Sequence, residues 1–451
     1  MVEPGTTPAF AAPRHPRRAI LGVCFGHMVE WFEFGAYGYL ATVLGKVFFP
    51  NTDPTVSVLS ALAVFGVAFV ARPFGAVVFG HLGDKFGRRT VLATTILLMG
   101  GATALIGLLP TYATIGVAAP VLLIICRLVQ GLSAGGETSG AAAFLAESAP
   151  AGKRGLWTSS IQAVGIVAFV LASLLVALLN AALGPDEMAA WGWRIPFLLA
   201  LPLAVTGLYL RFKVEETPAF QAALAKEKHL QQRAPIADLL RDYKTPLLFL
   251  IAIVGVESVS SYVSKTYLPT YLISVIGLSS TPALLSTSGT LILAALLVPV
   301  FARLSDRVGR KPLLLWGTAA LVVVAIPAFM LISTGTILGA VAGQVLAIIP
   351  GTAISVSVVV TQAELFPTRV RYSGAALGYN TSYALFGGTA PFVAAALIAA
   401  FGTKLMPGYY LVAFGLLGLL VISRLPETYR RDMIDADRSE ATGDAVRPGP
   451  A

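Results

Sequence analysis

Stretches of about twenty apolar residues recur along this whole chain, each long enough to cross a hydrocarbon core of about 30 Å as a helix. Separated at clusters of Gly, Pro and charge, twelve spans are predicted: 19–45, 56–81, 88–110, 116–147, 155–183, 194–212, 245–276, 283–302, 312–332, 337–364, 371–401 and 407–425. A soluble domain carries roughly a quarter of charged residues; this chain carries 12%, against 56% hydrophobic. The expectation is an all-α, polytopic membrane protein.

The basic residues orient it. With both termini on the cytoplasmic side, 26 of the 32 Lys and Arg fall in the tails and cytoplasmic loops. Lys46, Arg194 and Lys404 fall outside, and Arg72, Arg127 and Lys265 lie within spans. The net charge of +9 is thus a topology signal that needs no nucleic-acid partner. No cleavable signal peptide is visible, because the first apolar run is too long for one. Cys24 and Cys126 both fall inside spans and imply no disulfide framework.

Three motifs occur twice. "GHLGDKFGRR" (80–89) returns as "ARLSDRVGRK" (302–311), and "AESAPAGKRG" (146–155) as "AELFPTRVRYSG" (363–374). "EETP" (215–218) is echoed by "PET" (426–428). They follow spans two and eight, four and ten, six and twelve, so a six-helix unit has been duplicated in parallel. Such a duplication suits two halves that rock around a midplane site. The expected organisation is a cytoplasmic tail to 18, a first bundle 19–213, a linker 214–244, a second bundle 245–427 and a cytoplasmic tail 428–451. Within the linker, "FQAALAKEKHLQQR" reads as an amphipathic surface helix, and both tails read as disordered.

The repeated charges have a mechanical reading. Asp84 and Asp306 end a span, where a carboxylate can cap the positive N-terminus of a neighbouring helix. Arg88 and Arg310 can then bridge to Glu147 and Glu364, giving a cytoplasmic gate that locks in one state and breaks in the other. The plain alternative is a static loop carrying topological charges.

Charges inside the spans matter most, because a bare carboxylate in hydrocarbon costs several kcal/mol. In "GHMVEWFEFGAY" (26–37), His27, Glu30, Glu33 and Tyr37 share an arc of roughly 120° and should face the bundle interior. Two neighbouring acids would repel if both were ionised, which points to reversible proton binding, with His27 able to share the proton. Structural pairing alone is the rival. Arg72 lies about 18 Å up the second helix from Asp84, near mid-bilayer. It needs a counter-ion from among Glu30, Glu33 and Glu137. Glu30 is expected to pair with Arg72, leaving Glu33 to move the proton.

In the fourth span, Arg127, Gln130 and Glu137 lie within about 80° on one face, with Gly131, Gly135 and Gly136 read as packing positions. Arg127 can grip a carboxylate bidentately, and Glu137 is either its counter-charge or a second proton carrier. The seventh span aligns Glu257, Ser261 and Lys265 at i, i+4, i+8, with Tyr262 nearby and Pro269 expected to kink the helix. Lys265 either pairs with Glu257 or holds a substrate anion. In spans ten and eleven, Gln344, Ser355, Ser357, Thr361, Gln362, Asn380 and Tyr383 offer neutral polar groups.

The collected motifs resemble the major facilitator superfamily. More narrowly, "EWFEFGAYG", "ARPFG", "RLVQGLSAGGE", "WGWRIPF" and "GYNTSYALFGGTAP" are similar to its metabolite:proton symporter family, which includes transporters of citrate, 2-oxoglutarate, shikimate and proline/glycine betaine. The resemblance implies twelve helices in two pseudo-symmetric bundles, alternating access, and uptake driven by proton entry across a bacterial inner membrane. Glu33 stands where that family usually has Asp, and His27 where it often has Asn or a small residue. The tail after Glu427 shows no heptads, so osmosensing through a C-terminal coiled coil is not expected.

The resulting expectation is a monomeric proton symporter for a small carboxylate-bearing organic acid, with a proline or glycine betaine symporter as the alternative and a proton-independent uniporter ranked below both. Proton coupling is assigned to Glu30, Glu33, His27, Arg72 and Glu137, and substrate binding to Arg127, Gln130, Lys265, Tyr37, Ser261, Tyr262, Asn380 and Tyr383. No enzyme activity, cofactor or metal is expected, because the four histidines (15, 27, 81 and 229) are scattered.

Overall fold

The computed structural model describes residues 16–86, 88–135, 142, 145, 146, 149, 150, 152–213, 235–367 and 370–429. Among the described residues, each predicted span coincides with a helix or a broken helix. We number these α1 (Pro16–Tyr39), α2 (Pro54–Phe86), α3 (Arg88–Leu108), α4 (Ala118–Ser133), α5 (Arg154–Glu187) and α6 (Arg194–Lys213) in the first half. The second half holds α7 (Lys244–Ser274), α8 (Ser280–Val308), α9 (Arg310–Ile332), α10 (Ile337–Glu364), α11 (Arg371–Phe401) and α12 (Met406–Arg424). Eight described helices are long and apolar enough to cross a membrane, so this is a multi-pass membrane protein.

The first predicted span breaks at Leu40, and a short helix, Ala41–Phe48, follows it. Two spans carry irregular turns. α7 is interrupted by a π-turn at Val263–Tyr267, just before Pro269, and α11 by another at Tyr383–Gly387, before Pro391. Proline cannot donate to the preceding turn, so the helix accommodates it by widening locally, and such widenings often mark functional positions. Here they carry Lys265 and Tyr383.

The duplication is visible in the turns. Phe86 and Arg88 are one residue apart across the α2–α3 junction, as Val308 and Arg310 are across α8–α9. Gly309 makes the second turn at φ 104°, a conformation that residues with a side chain rarely adopt.

In the first half α3 packs on α6, α1 on α5 and α2 on α4; in the second α9 packs on α10 and α12, and α7 on α11. The halves meet along α5–α8 and α2–α11, with α1 against the π-turn of α7. Ser173 on α5 donates to the Leu284 carbonyl on α8 at 3.0 Å across that seam. Large apolar side chains such as Phe74, Val77, Leu296, Leu338 and Leu417 are exposed on the periphery, where lipid would cover them. The most apolar stretch of α7 is 72% buried, the highest share of any candidate span, so α7 is a central helix.

Close packing of α2 on α4 rests on glycine. A methyl group at Gly131 would collide with the Ala68 carbonyl, and one at Gly75 with the Leu132 backbone, whereas Gly101 has open space. Gly131→Ala should therefore cost about 1–3 kcal/mol and lower the unfolding temperature of the detergent-solubilised protein. Gly101→Ala should leave that temperature unchanged.

Candidate functional site

Between the halves lies a small cavity. α1 and α5 wall it from one side with His27, Trp31, Gln162, Gly165 and Phe169, and α7, α10 and α11 from the other with Glu257, Lys265, Gln362, Tyr379 and Tyr383. Ser261 also faces it.

The helix-one stripe does not face this cavity as a unit, contrary to the simple expectation. His27 and Trp31 do, but the acids turn into the first half. Trp31 and Glu33 are two residues apart on a helix, and so about 160° apart around it. The arc is wide enough for its two edges to meet different neighbours.

Glu30 faces α2, where its Oε1 pairs with Arg72 at 2.5 Å. The same guanidinium donates to the Ala134 carbonyl at 3.3 Å and lies over the rings of Phe34 and Phe69. Both charges are fully buried, and each removes the other's need for water.

Glu33 faces α3 and α4 instead. Its Oε2 is hydrogen-bonded by the Thr103 hydroxyl, while Oε1 is buried with no hydrogen-bond partner among the described residues. Thr103 also contacts the Met99 carbonyl at 2.8 Å and accepts from Gln130 Nε2 at 2.5 Å. Gln130 in turn accepts from Arg127 at 3.1 Å. A polar chain therefore runs Arg127–Gln130–Thr103–Glu33, wholly inside the first bundle. Thr103 was missed in the sequence, since one threonine in an apolar span carries no signal of its own.

Three of the candidate substrate residues stand away from the cavity wall in this geometry. Arg127 donates to the Phe65 carbonyl at 3.0 Å and stacks over Tyr37 at 4.2 Å, away from the cavity wall, so it is not placed to grip a ligand there. Gln130 is spent on Thr103 and Arg127. Tyr37 is buried, and its hydroxyl donates to the Ala61 carbonyl at 3.2 Å. All three are pulled inward because a polar group in a bundle core must find a partner there. Two further candidates are also displaced from the wall. The amide of Asn380 donates to the Gly135 carbonyl at 2.7 Å and joins the halves, and Tyr262 is buried among the rings of Trp31, Phe65, Phe69 and Tyr383.

His27 lines the cavity, and its Nδ1 accepts from Trp31 Nε1 at 3.3 Å. The ring is thus anchored to Trp31, edge-on at 5.7 Å between ring centroids.

On the opposite wall, Glu257 accepts from Ser355 at 2.8 Å and from Tyr383 at 3.0 Å. Lys265 is buried, faces the cavity, and makes no ion pair or hydrogen bond among the described residues. Around the cavity centre stand aromatic rings: Trp31 lies 5.7 Å from Phe169 and 6.2 Å from Tyr383, which stacks on Tyr379 at 4.2 Å. An acid, an amine outside ion-pair distance of it and an aromatic wall together suit a ligand carrying both charges.

At the end of the bundle where the basic loops gather, Asp306 accepts from the backbone N–H groups of Gly155 and Leu156, at 2.8 and 3.0 Å. A carboxylate of the second half thus caps α5 of the first. Arg310 holds that acid at 2.9 Å and grips Glu364 bidentately at 3.0 and 3.1 Å. Glu427 caps α9 through Arg310 and Lys311, and Thr428 donates to Glu364. The "PET" echo marked these residues as part of the repeat without disclosing the capping. Glu137, Glu147 and the side chains of Asp84 and Arg88 lie outside the described residues.

With this geometry established, comparison with known proteins defines the class. The family model of the Major Facilitator Superfamily matches residues 19–388, and the chain belongs to that superfamily: it is a membrane transporter and not an enzyme. Among similar chains is the proline/betaine transporter of Salmonella typhimurium, 40% identical over 92% of this chain and 85% of that one. The glycine betaine/proline/ectoine/pipecolic acid transporter of Dickeya dadantii is 40% identical over 94% of this chain and 87% of its own. Among solved structures, the proton:xylose symporter XylE superposes with a TM-score of 0.74 at 17% identity, covering 93% of this chain and 98% of that one, which speaks to the fold alone.

Removing one member of the buried Glu30–Arg72 pair strands the other. Glu30→Gln should cost about 3–5 kcal/mol of stability, and the double variant Glu30→Gln/Arg72→Gln should recover part of that loss. Thermal unfolding of the three proteins measures both.

Proposed function

We propose that the protein is a proton-coupled symporter of compatible solutes of the proline and glycine betaine type. This reverses the order of the sequence reading, which put organic acids first: the similar transporters named for proline, betaine and ectoine support the alternative. The observation that carries the reading is Lys265, a buried amine facing the cavity with Glu257 as its electrostatic partner but no acid within ion-pair distance among the described residues. A buried cation of this kind is relieved by an anion that arrives with the substrate. A zwitterion supplies that carboxylate, and its own positive nitrogen can rest near Glu257 and the faces of Trp31 and Tyr383. An organic dianion would bring a second negative charge against Glu257 instead.

The proton belongs to Glu33. Glu30 is committed to Arg72, whereas no cation lies within ion-pair distance of Glu33 among the described residues. Taking up a proton relieves its bare buried oxygen, and a polar chain through Thr103 and Gln130 ties that event to Arg127. His27 sits in the cavity beyond that chain and is not needed for it. The Asp306–Arg310–Glu364 cluster acts as a gate that holds α5 in one state and releases it in the other, with Asp84, Arg88 and Glu147 as its counterpart in the first half. The protein works as a monomer in a bacterial inner membrane, termini in the cytoplasm, by alternating access of the two bundles.

Uptake into proteoliposomes tests the two charges separately. Lys265→Met should raise the KM for proline and glycine betaine by about tenfold to a hundredfold, the loss of one charge-assisted hydrogen bond. Glu33→Gln should abolish the acceleration of uptake by an imposed inward proton gradient while leaving solute exchange across the membrane in place. Gradient-driven accumulation by Glu33→Gln would contradict the assignment, and accumulation of citrate or 2-oxoglutarate in place of zwitterions would contradict the substrate class.

A further inference from the structure

Glycines around the cavity differ in what a side chain would meet. A methyl group at Gly35 on α1 would press on the Phe169 ring at 2.9 Å, and one at Gly38 would collide with Thr266 of the α7 π-turn. Close packing of two helices demands glycine at both. Gly165 is different. It lies on α5 in the cavity wall, and an added methyl would have His27 Nε2 and Trp31 Cδ1 as its nearest neighbours, each at 3.6 Å. That is ordinary van der Waals contact, so packing does not demand glycine there. Nor does the backbone, because Gly165 sits inside a helix and is not among the glycines with positive φ. Within a helix glycine is less favourable than alanine. What it leaves at this position is room in the cavity.

The walls of that room are defined. Along α5, Ile161 and Gln162 face the cavity one turn before Gly165, and Phe169 faces it one turn after. Trp31 closes it from α1. The indole Nε1 donates to His27 Nδ1 at 3.3 Å, which fixes the ring with its Cδ1 edge beside the glycine. The Trp31 and Phe169 rings stand 5.7 Å apart between centroids. A hollow between aromatic rings suits N-methyl groups, which carry spread positive charge and need contact instead of hydrogen-bond acceptors. A secondary ammonium needs acceptors, and Glu257 is the acid on the facing wall.

We propose that Gly165 is a specificity-determining residue of the cavity, whose missing side chain admits the trimethylammonium head of a betaine beside Trp31. The proposal deepens the zwitterion reading of the Lys265 site and rests on it. Proline has no N-methyl groups, so its fit depends less on this hollow. A side chain at 165 narrows the head-group end of the cavity while leaving both charges, Glu257 and Lys265, in place. One carbon more or less in a fitted apolar pocket discriminates between ligands by about tenfold or more.

Uptake of glycine betaine, dimethylglycine, sarcosine and proline into proteoliposomes holding the full-length protein tests it. In Gly165→Ala the ratio of the KM for glycine betaine to the KM for proline should rise about tenfold over wild type. Dimethylglycine should be affected to an intermediate degree, and sarcosine should follow proline most closely. Gly165→Ser, which adds a small polar group instead of an apolar one, should move the ratio in the same direction, because volume and not polarity is at stake. Both KM values come from one preparation, so partial loss of folded transporter does not shift their ratio. An unchanged ratio, an equal rise for all these solutes, or loss of all uptake in both variants overturns the role of Gly165 and leaves the zwitterion reading standing. Wild-type protein that takes up none of these solutes overturns that reading, and the proposal with it.

Discussion

Hydrocarbon cannot solvate a charge, and the interior of this protein is organised by how each intramembrane charge meets that constraint. Glu30 and Arg72 meet it by pairing at 2.5 Å. Arg127 meets it with a carbonyl, an amide and aromatic faces, and Glu257 with two hydroxyl donors. Among the described residues, Glu33 keeps a buried oxygen without a hydrogen bond, and Lys265 has no acid within ion-pair distance. One is an acid short of a partner and the other a base short of one, and they lie on opposite sides of the seam between the halves. A proton relieves the first and a substrate carboxylate relieves the second. That pairing of needs is what the proposed symport would use.

The irregular backbone serves the same end. The π-turns of α7 and α11 lie where Pro269 and Pro391 interrupt the helices, and they carry Lys265 and Tyr383 into the wall. Glycine on the α2–α4 face does the opposite task, bringing two backbones together so that Arg72 and Arg127 are sealed from the cavity. Between the halves, the Asp306 cap on α5 and the Asn380 link to Gly135 add polar contacts to the helix packing along α5–α8 and α2–α11. Contacts of that kind are made and broken at modest cost, which a rocking transporter requires.

Much of this was legible in the sequence, for a physical reason. A bilayer imposes a length on every apolar run, so the twelve spans could be read from hydropathy alone, and the repeated loop motifs gave the two-fold plan. Glu257, Ser261 and Lys265 could be put on one face because i, i+4, i+8 spacing survives even the π-turn that follows Tyr262. What could not be read was which neighbour each polar face would meet. Arg127 has the chemistry of a carboxylate clamp, but its direction is set by the closeness of α2, which depends on glycines whose effect appears only after folding. Thr103 was invisible for the same reason: it becomes significant by lying beside Glu33. The substrate class was the least legible part, because an intramembrane cation announces a carboxylate without saying what else the molecule carries.

Lys265 has no acid within ion-pair distance among the described residues, and the proposed substrate carboxylate would supply one. An experimental structure of the protein with glycine betaine bound tests it most directly. A carboxylate oxygen should lie within hydrogen-bond distance of Lys265 Nζ, with the trimethylammonium group against Glu257, Trp31 and Tyr383. A carboxylate held by Arg127, or a Lys265 ammonium paired to a protein acid while the substrate sits elsewhere, would contradict it.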